Sequence, residues 1–126
     1  MEREWRFEGQ VMNQAAFWKC LLAEARFDEV NMNGAQFARA NLGGALFDQA
    51  NLSGARFDDV NLSGAHFDGV NLSGAQFTEV NLSGSRFETV NLSGAAIDSA
   101  NIDGLTIQGH DIRALIDAER KRGSGG

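Results

Sequence analysis

The chain has 126 residues, a length that predicts one domain, and its net charge of −6 argues against direct binding to nucleic acid, because phosphate contacts need lysine and arginine. An apolar content of 43% excludes a disordered chain, whereas fifteen glycines, nine phenylalanines and no proline or tyrosine indicate an internal repeat. No apolar run approaches the ~20 residues of a membrane span, so no membrane partner is expected.

The first fourteen residues fit the repeat poorly and are predicted to form an N-terminal cap. Trp5 and Gln10 stand where later repeats have a small residue. Residues 1–10 lack the apolar segment of a secretory signal. The single cysteine, Cys20, cannot form an internal disulfide, which favours a reducing compartment. We therefore expect a cap over residues 1–14 and a cytoplasmic location.

Five consecutive decapeptides between residues 45 and 94 share the template A-x-F-D-x-V-N-L-S-G. A large apolar residue recurs every five positions, and a smaller one precedes it by two, so both lie on one face of an extended chain. One glycine in ten residues argues against a helix, since each would cost about 1 kcal/mol there. The pattern therefore predicts a β-solenoid of short extended segments and turns.

The alternation of phenylalanine and leucine determines the number of sides in each coil. Like side chains stack on like only if the number of five-residue sides is even, and two sides cannot enclose a core. Four sides give a coil of twenty residues and about five to six coils in all. In the regular repeats, alanine or serine stands at the small position before phenylalanine, and valine or alanine stands there before leucine, so the volumes of the inward side chains balance, as close packing requires.

Two kinds of corner are predicted to alternate around each coil. Leu-Ser-Gly-Ala fits a type II turn, with glycine at the position that needs a positive φ. Phe-Asp-x-Val lacks that glycine, so its corner is expected to be of another type, stabilised by aspartate side chains that accept hydrogen bonds from nearby amides.

Residues 50–54, Ala-Asn-Leu-Ser-Gly, match the motif A-(D/N)-L-x-x, and residues 60–64 differ from it only at Val60. The chain thus resembles the pentapeptide repeat family over about residues 15–109. The resemblance implies a right-handed quadrilateral β-helix, which agrees with the four-sided coil. It implies little about activity, because the family is defined by its fold.

The end of the chain has the pattern of a short capping helix over residues 110–122. Asp111 is a candidate N-cap, Ile112, Leu115 and Ile116 fall on one helical face, and basic residues occupy the last turn. The apolar face predicts either packing on the last coil or contact with a two-fold mate, so a monomer and a homodimer through this end both stay open. Residues 123–126 predict a flexible tail or an engineered scar.

A period of twenty places Asp28, Asp48, Asp68 and Glu88 in one outward ladder, with steps of about 4.8 Å. In one interpretation each carboxylate stabilises the turn beside it and keeps the rod soluble. In the other the ladder imitates a nucleic-acid backbone. The family resemblance implies the second possibility, since quinolone-resistance members bind DNA gyrase as duplex mimics.

Other outward residues have less distinctive patterns. Trp18 faces outward after the inward Phe17, and is predicted either to anchor an interface or to be covered by residues 1–10. The outward asparagines are expected to bond each other and the local backbone rather than a partner. Cys20 and His110 are predicted at inward positions and His66 at an isolated outward one, which excludes a catalytic or metal site formed by any two of them.

The sequence therefore predicts a non-enzymatic, rigid protein-interaction module. Its filled interior leaves no pocket for a cofactor. The partner is an unidentified protein, and DNA gyrase is the sharpest candidate. The alternative is a purely structural spacer, or a repeat domain that belongs to a larger or engineered protein.

Overall fold

The computed structural model describes residues 5–124, and the side chains of residues 5–119. Over this range the chain forms twelve short β-strands followed by one α-helix. They are β1 (Arg6–Glu8), β2 (Ala16–Trp18), β3 (Arg26–Asp28), β4 (Gln36–Ala38), β5 (Leu46–Asp48), β6 (Arg56–Asp58), β7 (His66–Asn71), β8 (Gln76–Thr78), β9 (Arg86–Asn91), β10 (Ala96–Asp98), β11 (Thr106–Ile107), β12 (His110–Asp111) and α1 (Ile112–Ser124).

Residues twenty positions apart pair in parallel, which gives each coil four sides. We call the sheet of β1, β3, β5, β7, β9 and β11 the first sheet; β12 joins its end in antiparallel orientation. The second sheet contains β2, β4, β6, β8 and β10. On the other two sides single bridges join the coils, such as Asn31 to Asn51 and Asn41 to Asn61. The predicted β-solenoid is confirmed, with about five turns and a C-terminal helix.

Two phenylalanine stacks and two aliphatic ladders fill the interior. Ring centroids of successive phenylalanines in each stack lie 4.5 to 4.9 Å apart. This separation follows from the ~4.8 Å spacing of hydrogen-bonded strands. The ring of Phe87 tilts by 39° against that of Phe67, at the rung where the next coil supplies Ile107 instead of a phenylalanine. Most of the inward alanines, valines and leucines are fully buried, as the volume pattern predicts.

The glycine corners have the predicted conformation. In the turn of residues 62–65, the amide of Ala65 donates to the carbonyl of Leu62 over 3.0 Å, and Gly64 has a φ of 68°. A positive φ at the third residue of such a hydrogen-bonded turn is the type II arrangement. The amide of Gly64 also donates to the carbonyl of Ser83 in the next coil. The same corner therefore turns the chain and links successive coils.

The corners without glycine also take a positive φ, which their sequence does not predict. At eight of these corners the residue after the aspartate position is not glycine, and its φ lies between 51° and 56°. Among the described residues, the corner aspartates accept no hydrogen bond from a backbone amide, and Oδ1 of Asp28 is buried without a partner. The predicted stabilisation by aspartate is therefore wrong. Hydrogen bonds between coils hold these corners, such as the 3.0 Å bond from the Asp59 amide to the Thr78 carbonyl.

Asparagine side chains support the glycine corners. Oδ1 of Asn61 accepts a hydrogen bond from the Ser63 amide at 2.9 Å, and Nδ2 of Asn61 donates to Oδ1 of Asn41 at 3.1 Å. The same contact to the amide two residues on recurs in the other coils at Asn31, Asn41, Asn51, Asn71, Asn81, Asn91 and Asn101. The predicted role of the asparagines within the fold is confirmed.

Thr89 occupies one of the strained corners and offers a test of their cost. Its φ of 51° is unfavourable for a β-branched side chain, whereas asparagine tolerates this region. We expect Thr89→Asn to raise the free energy of unfolding by about 1 kcal/mol, measured by chemical denaturation. Thr78→Asn is the matched control, because Thr78 is exposed on the extended strand β8. An equal or smaller gain from Thr89→Asn than from Thr78→Asn would contradict the assigned strain.

The first coil begins earlier than the predicted boundary at residue 15. Strand β1 pairs in parallel with β3, and the carbonyls of Trp5 and Gln10 accept hydrogen bonds from the amides of Arg26 and Asn31. Residues 6–14 are therefore part of the β-helix rather than a cap, despite the large residues at small positions. Residues 1–4 of the predicted cap lie outside the described residues.

The C-terminal end also differs from its predicted boundaries. His110 belongs to β12, is exposed rather than inward, and precedes the helix. Oδ1 of Asp111 accepts a hydrogen bond from the Ala114 amide at 3.1 Å, which confirms the predicted N-cap. Helix α1 continues to Ser124, into the segment predicted as a tail, while residues 125–126 lie outside the described residues. No helix in the described part of the chain has the length and apolarity needed to cross a membrane.

Candidate functional site: two apolar ends and a charged face

The large apolar side chains that reach the surface lie at the two ends of the rod. Of those with high exposure among residues 5–119, four are in the first coil and three lie near the C-terminal end; they are Trp5, Val11, Trp18 and Leu21, then Ile97, Leu115 and Ile116. Apart from the half-buried Leu46, the coils between them present polar, charged or small side chains outward. Because large exposed apolar patches mark interaction surfaces, the ends are the natural candidates for contacts with other molecules.

Trp18 and Leu21 are the most prominent apolar groups of the first coil. Trp18 pairs with Ala38 at the end of β2 and is 65% exposed, so the predicted outward orientation is confirmed. Residues 6–8, predicted as part of a covering segment, instead form β1. Leu21 is 80% exposed and bridges to Asn41. The Lys19 ammonium lies 5.0 Å from the centroid of the indole ring of Trp18.

The interior of the first coil is only partly covered. Phe7 and Phe17 are half-buried, in contrast to the fully buried phenylalanines of the central coils. Among the described strands, β1 and β2 are the outermost in their sheets, so each has a hydrogen-bonded neighbouring strand on one side only. An edge of this kind is a template for pairing with another chain. We call the exposed surface of Val11, Trp18 and Leu21 together with this edge the N-terminal rim.

The C-terminal end is more closed. Ile112 packs against the core, and Ile116 lines a groove beside Ile97 and Leu105. Leu115 does not line this groove and is 54% exposed. The predicted packing of the helix on the last coil is thus present for part of its apolar face, and the remainder is open to a partner.

The first sheet carries two parallel ladders of opposite charge on its outer face. The register confirms the predicted stacking of Asp28, Asp48, Asp68 and Glu88. It adds Glu8, which was predicted to lie in the N-terminal cap and not in the ladder. Two residues earlier on the same strands stand Arg6, Arg26, Leu46, His66 and Arg86. Five carboxylates and three arginines on this face give a net charge of −2, since 3 − 5 = −2.

Basic groups contact the acidic ladder at two of its five carboxylates. Nε of Arg26 lies 3.8 Å from Oδ2 of Asp28, and Nη2 of Arg86 lies 2.5 Å from Oε1 of Glu88. His66 reaches the same Glu88 oxygen, with its Nε2 at 3.5 Å. The ladder is therefore a mixed charged surface rather than the uniform acidic stripe that the spacing of the acids alone suggests.

The thiol and imidazole groups are widely distributed, as their spacing predicts. The thiol of the half-buried Cys20 donates to the carbonyl of Trp18 at 3.4 Å. His66 lies on β7 and His110 on β12, with β9 and β11 between them in the sheet. What the sequence interpretation missed is that His66 joins Asp68 and Glu88. The sequence spacing could have indicated this cluster. Asp68 is two positions after His66, on the same face of the strand, and Glu88 is twenty positions after Asp68, which is one full coil.

The family model of pentapeptide repeats matches residues 35–74, 55–94 and 71–104, and together these matches span more than half of the chain. The chain belongs to the pentapeptide repeat family. No curated protein sequence matches it.

The chain is similar to several solved structures, of which the first described below, with a TM-score above 0.5, supports the same fold. A pentapeptide repeat protein from the thylakoid lumen of Arabidopsis thaliana is 27% identical with a TM-score of 0.75, over 86% of this chain and 74% of that one. HetL, a protein involved in regulating heterocyst differentiation in the cyanobacterium Nostoc sp. strain PCC 7120, is 25% identical with a TM-score of 0.42, over 80% of this chain and 53% of that one. QnrB1, a plasmid-mediated fluoroquinolone resistance protein, is 14% identical with a TM-score of 0.26, over 93% and 95%.

Proposed function

We propose that this chain is a rigid, non-enzymatic module that binds a protein partner through its N-terminal rim. The observation that carries the proposal is the exposure of Trp18, Leu21 and Val11 at 65%, 80% and 71% on one coil, beside a polar body. Tryptophan is the residue type most often found as an energetic anchor in protein interfaces. A partner presenting an apolar surface would exclude water from these side chains.

The repeat itself does not require apolar residues at these positions. The position of Val11 and Leu21 is held by asparagine in the following coils, where it hydrogen-bonds the corner. The position of Trp18 is held by Ala38 and then Asp58 in the same ladder. The first coil thus forgoes the asparagine contacts and exposes apolar area instead. An interaction explains this exchange, whereas a spacer role does not.

The rim predicts a specific pattern of binding losses. Trp18→Ser with Leu21→Asn is expected to remove at least one protein from those captured by the tagged chain in a lysate of its native cell. Once that protein is purified, the Trp18 change alone should weaken binding about 30-fold, corresponding to the ~2 kcal/mol of an interface anchor. Leu115→Ser is the matched control, because it removes an exposed apolar group from the opposite end. Identical captured proteins for wild type and the double variant would contradict the proposal.

Imitation of DNA is the second candidate function, favoured by the in-register column of five carboxylates. We rank DNA imitation second because the rod carries less charge per unit length than duplex DNA does. Five turns of about 4.8 Å make a rod of roughly 25 Å, so a net charge of −6 gives one charge per ~4 Å, against one per ~1.7 Å in duplex DNA. The mimic predicts protection of gyrase supercoiling from quinolones, and loss of that protection in Asp48→Asn with Asp68→Asn and Glu88→Gln. No protection at large molar excess would exclude it.

The open part of the C-terminal helix face bears on oligomeric state. We propose that any homodimer forms there, through Leu115 and Ile116, rather than through the charged face. Light scattering should then show a mass above 13.6 kDa that returns to this value in Leu115→Ser. A mass of 13.6 kDa at all concentrations would exclude the homodimer and show that the chain is a monomer.

A further inference from the structure

Three side chains able to bind a metal ion meet on the outer face of the first sheet. His66 and Asp68 lie two residues apart on β7 and therefore face the same side. Glu88 on β9 is the direct cross-strand neighbour of Asp68. One donor atom from each of the three residues lies within 4.8 Å of the other two.

The imidazole of His66 points into this cluster with an unused nitrogen. Its Nε2 is shielded from solvent and makes no hydrogen bond, although it lies 3.5 Å from Oε1 of Glu88. Leaving a shielded polar atom without a hydrogen-bonding partner is energetically unfavourable. The Asp68 carboxylate is also without a side-chain hydrogen bond or ion pair among the described residues. Both groups therefore have a donor atom that a metal ion would satisfy.

We propose that His66, Asp68 and Glu88 bind a divalent transition-metal ion of the zinc class. One imidazole and two carboxylates supply three ligands, and water completes a tetrahedral shell. The nitrogen donor favours zinc-class ions over Ca²⁺ and Mg²⁺, which select oxygen ligands. In the other described coils the ladder position of His66 is held by Arg6, Arg26, Leu46, Arg86 and Thr106, so the same three ligands do not recur along the ladder.

Arg86 makes the proposal more specific, because it competes for one ligand. It pairs in register with His66, and its guanidinium contacts the same Glu88 oxygen that faces Nε2. A metal ion must displace this ion pair. Removing the guanidinium with Arg86→Gln is therefore expected to tighten metal binding, an effect opposite to that of a ligand substitution.

The test is titration of the full chain with Zn²⁺ by calorimetry, and with Co²⁺ by visible absorption. His66→Gln is expected to weaken Zn²⁺ binding more than tenfold, since even outer partners of metal ligands commonly change affinity 10- to 100-fold. His110→Gln, the other histidine, and Asp48→Asn, one rung along the ladder, should leave the affinity near that of the wild type. Circular dichroism confirms that each variant folds.

Two results would overturn the assignment. Equal Zn²⁺ affinities for the wild type and His66→Gln would show that the imidazole is not a ligand. If Asp48→Asn lowered the Zn²⁺ affinity as much as His66→Gln, the ion would be held by diffuse attraction to the acidic ladder. Tighter binding by Arg86→Gln together with loss in His66→Gln would support the three-ligand site.

Discussion

Replacing Phe57 with alanine is expected to lower the free energy of unfolding by about 3–5 kcal/mol, the usual cost of removing a buried phenylalanine. Phe57 is 1% exposed, and its ring lies between those of Phe37 and Phe77, at 4.8 and 4.7 Å. The neighbouring rings are held by their own strands, so the cavity cannot readily collapse. Urea or guanidinium unfolding measures the change.

Phe17→Ala is the matched control for this prediction. Phe17 ends the same stack, has a stacked ring on one side only, at 4.8 Å in Phe37, and is half-buried. Its removal leaves a site that water can enter, so the loss of stability should be clearly smaller than for Phe57→Ala. Equal losses at the two positions would contradict the assignment of the closed central stack as the main source of stability.

The second large effect is expected at a glycine corner. Gly74→Val should cost about 2–3 kcal/mol, because Gly74 has a φ of 70° and a β-branched residue is strongly disfavoured there. A Cβ at this position meets the backbone nitrogen of Gly54 only at 4.0 Å, an ordinary contact. Conformation rather than space therefore sets the main cost.

Two variants separate backbone conformation from side-chain size at this corner. Gly74→Asn should cost less than about 1 kcal/mol, since asparagine tolerates the left-handed region. Ser73→Val introduces the same valine one residue earlier, where φ is negative. The hydrogen bond from the backbone amide of residue 73 to Oδ1 of Asn71 is kept in this variant. If Ser73→Val proved as harmful as Gly74→Val, the bulk of valine and not the positive φ would explain the loss.

The interior of this protein could be derived from sequence because its inward residues repeat without ambiguity. The alternation of phenylalanine and leucine requires an even number of sides, and the observed pairing of Phe47 with Phe67 has the predicted step of twenty. Each inward position has one physical task, to fill a fixed volume. A pattern that repeats one task many times determines the register.

The corners and boundaries were less predictable because the main chain can override side-chain preference. Arg39 and Gln49 adopt a positive φ although neither residue favours it, since hydrogen bonds from their amides to the adjacent coil hold the backbone. Trp5 and Gln10 depart from the template, yet their carbonyls still join the first coil to the second. Deviation in side chains therefore does not mark the end of the β-helix.

The outward residues were predicted in position but not in their associations. The orientation of Trp18 follows from its place after Phe17. The exposure of Leu21 could be predicted only by noting that Leu21 occupies a position held by asparagine in the later coils. The arginines beside the acidic ladder and the meeting of His66 with Glu88 depend on side-chain conformations that the core does not restrain. Outward positions are free of packing constraints, so sequence spacing alone leaves their partners open.

Site-specific photocrosslinking in the native cell distinguishes partner binding at the N-terminal rim from binding along the sides of the rod. Trp18 and Thr78 lie in one outward ladder of the second sheet, three coils apart. Trp18→benzoylphenylalanine is expected to crosslink a defined protein, and Thr78→benzoylphenylalanine, the same probe on the same side of the rod, is not. Crosslinking of that protein from position 78 with none from position 18 would show that the N-terminal rim is not the binding surface.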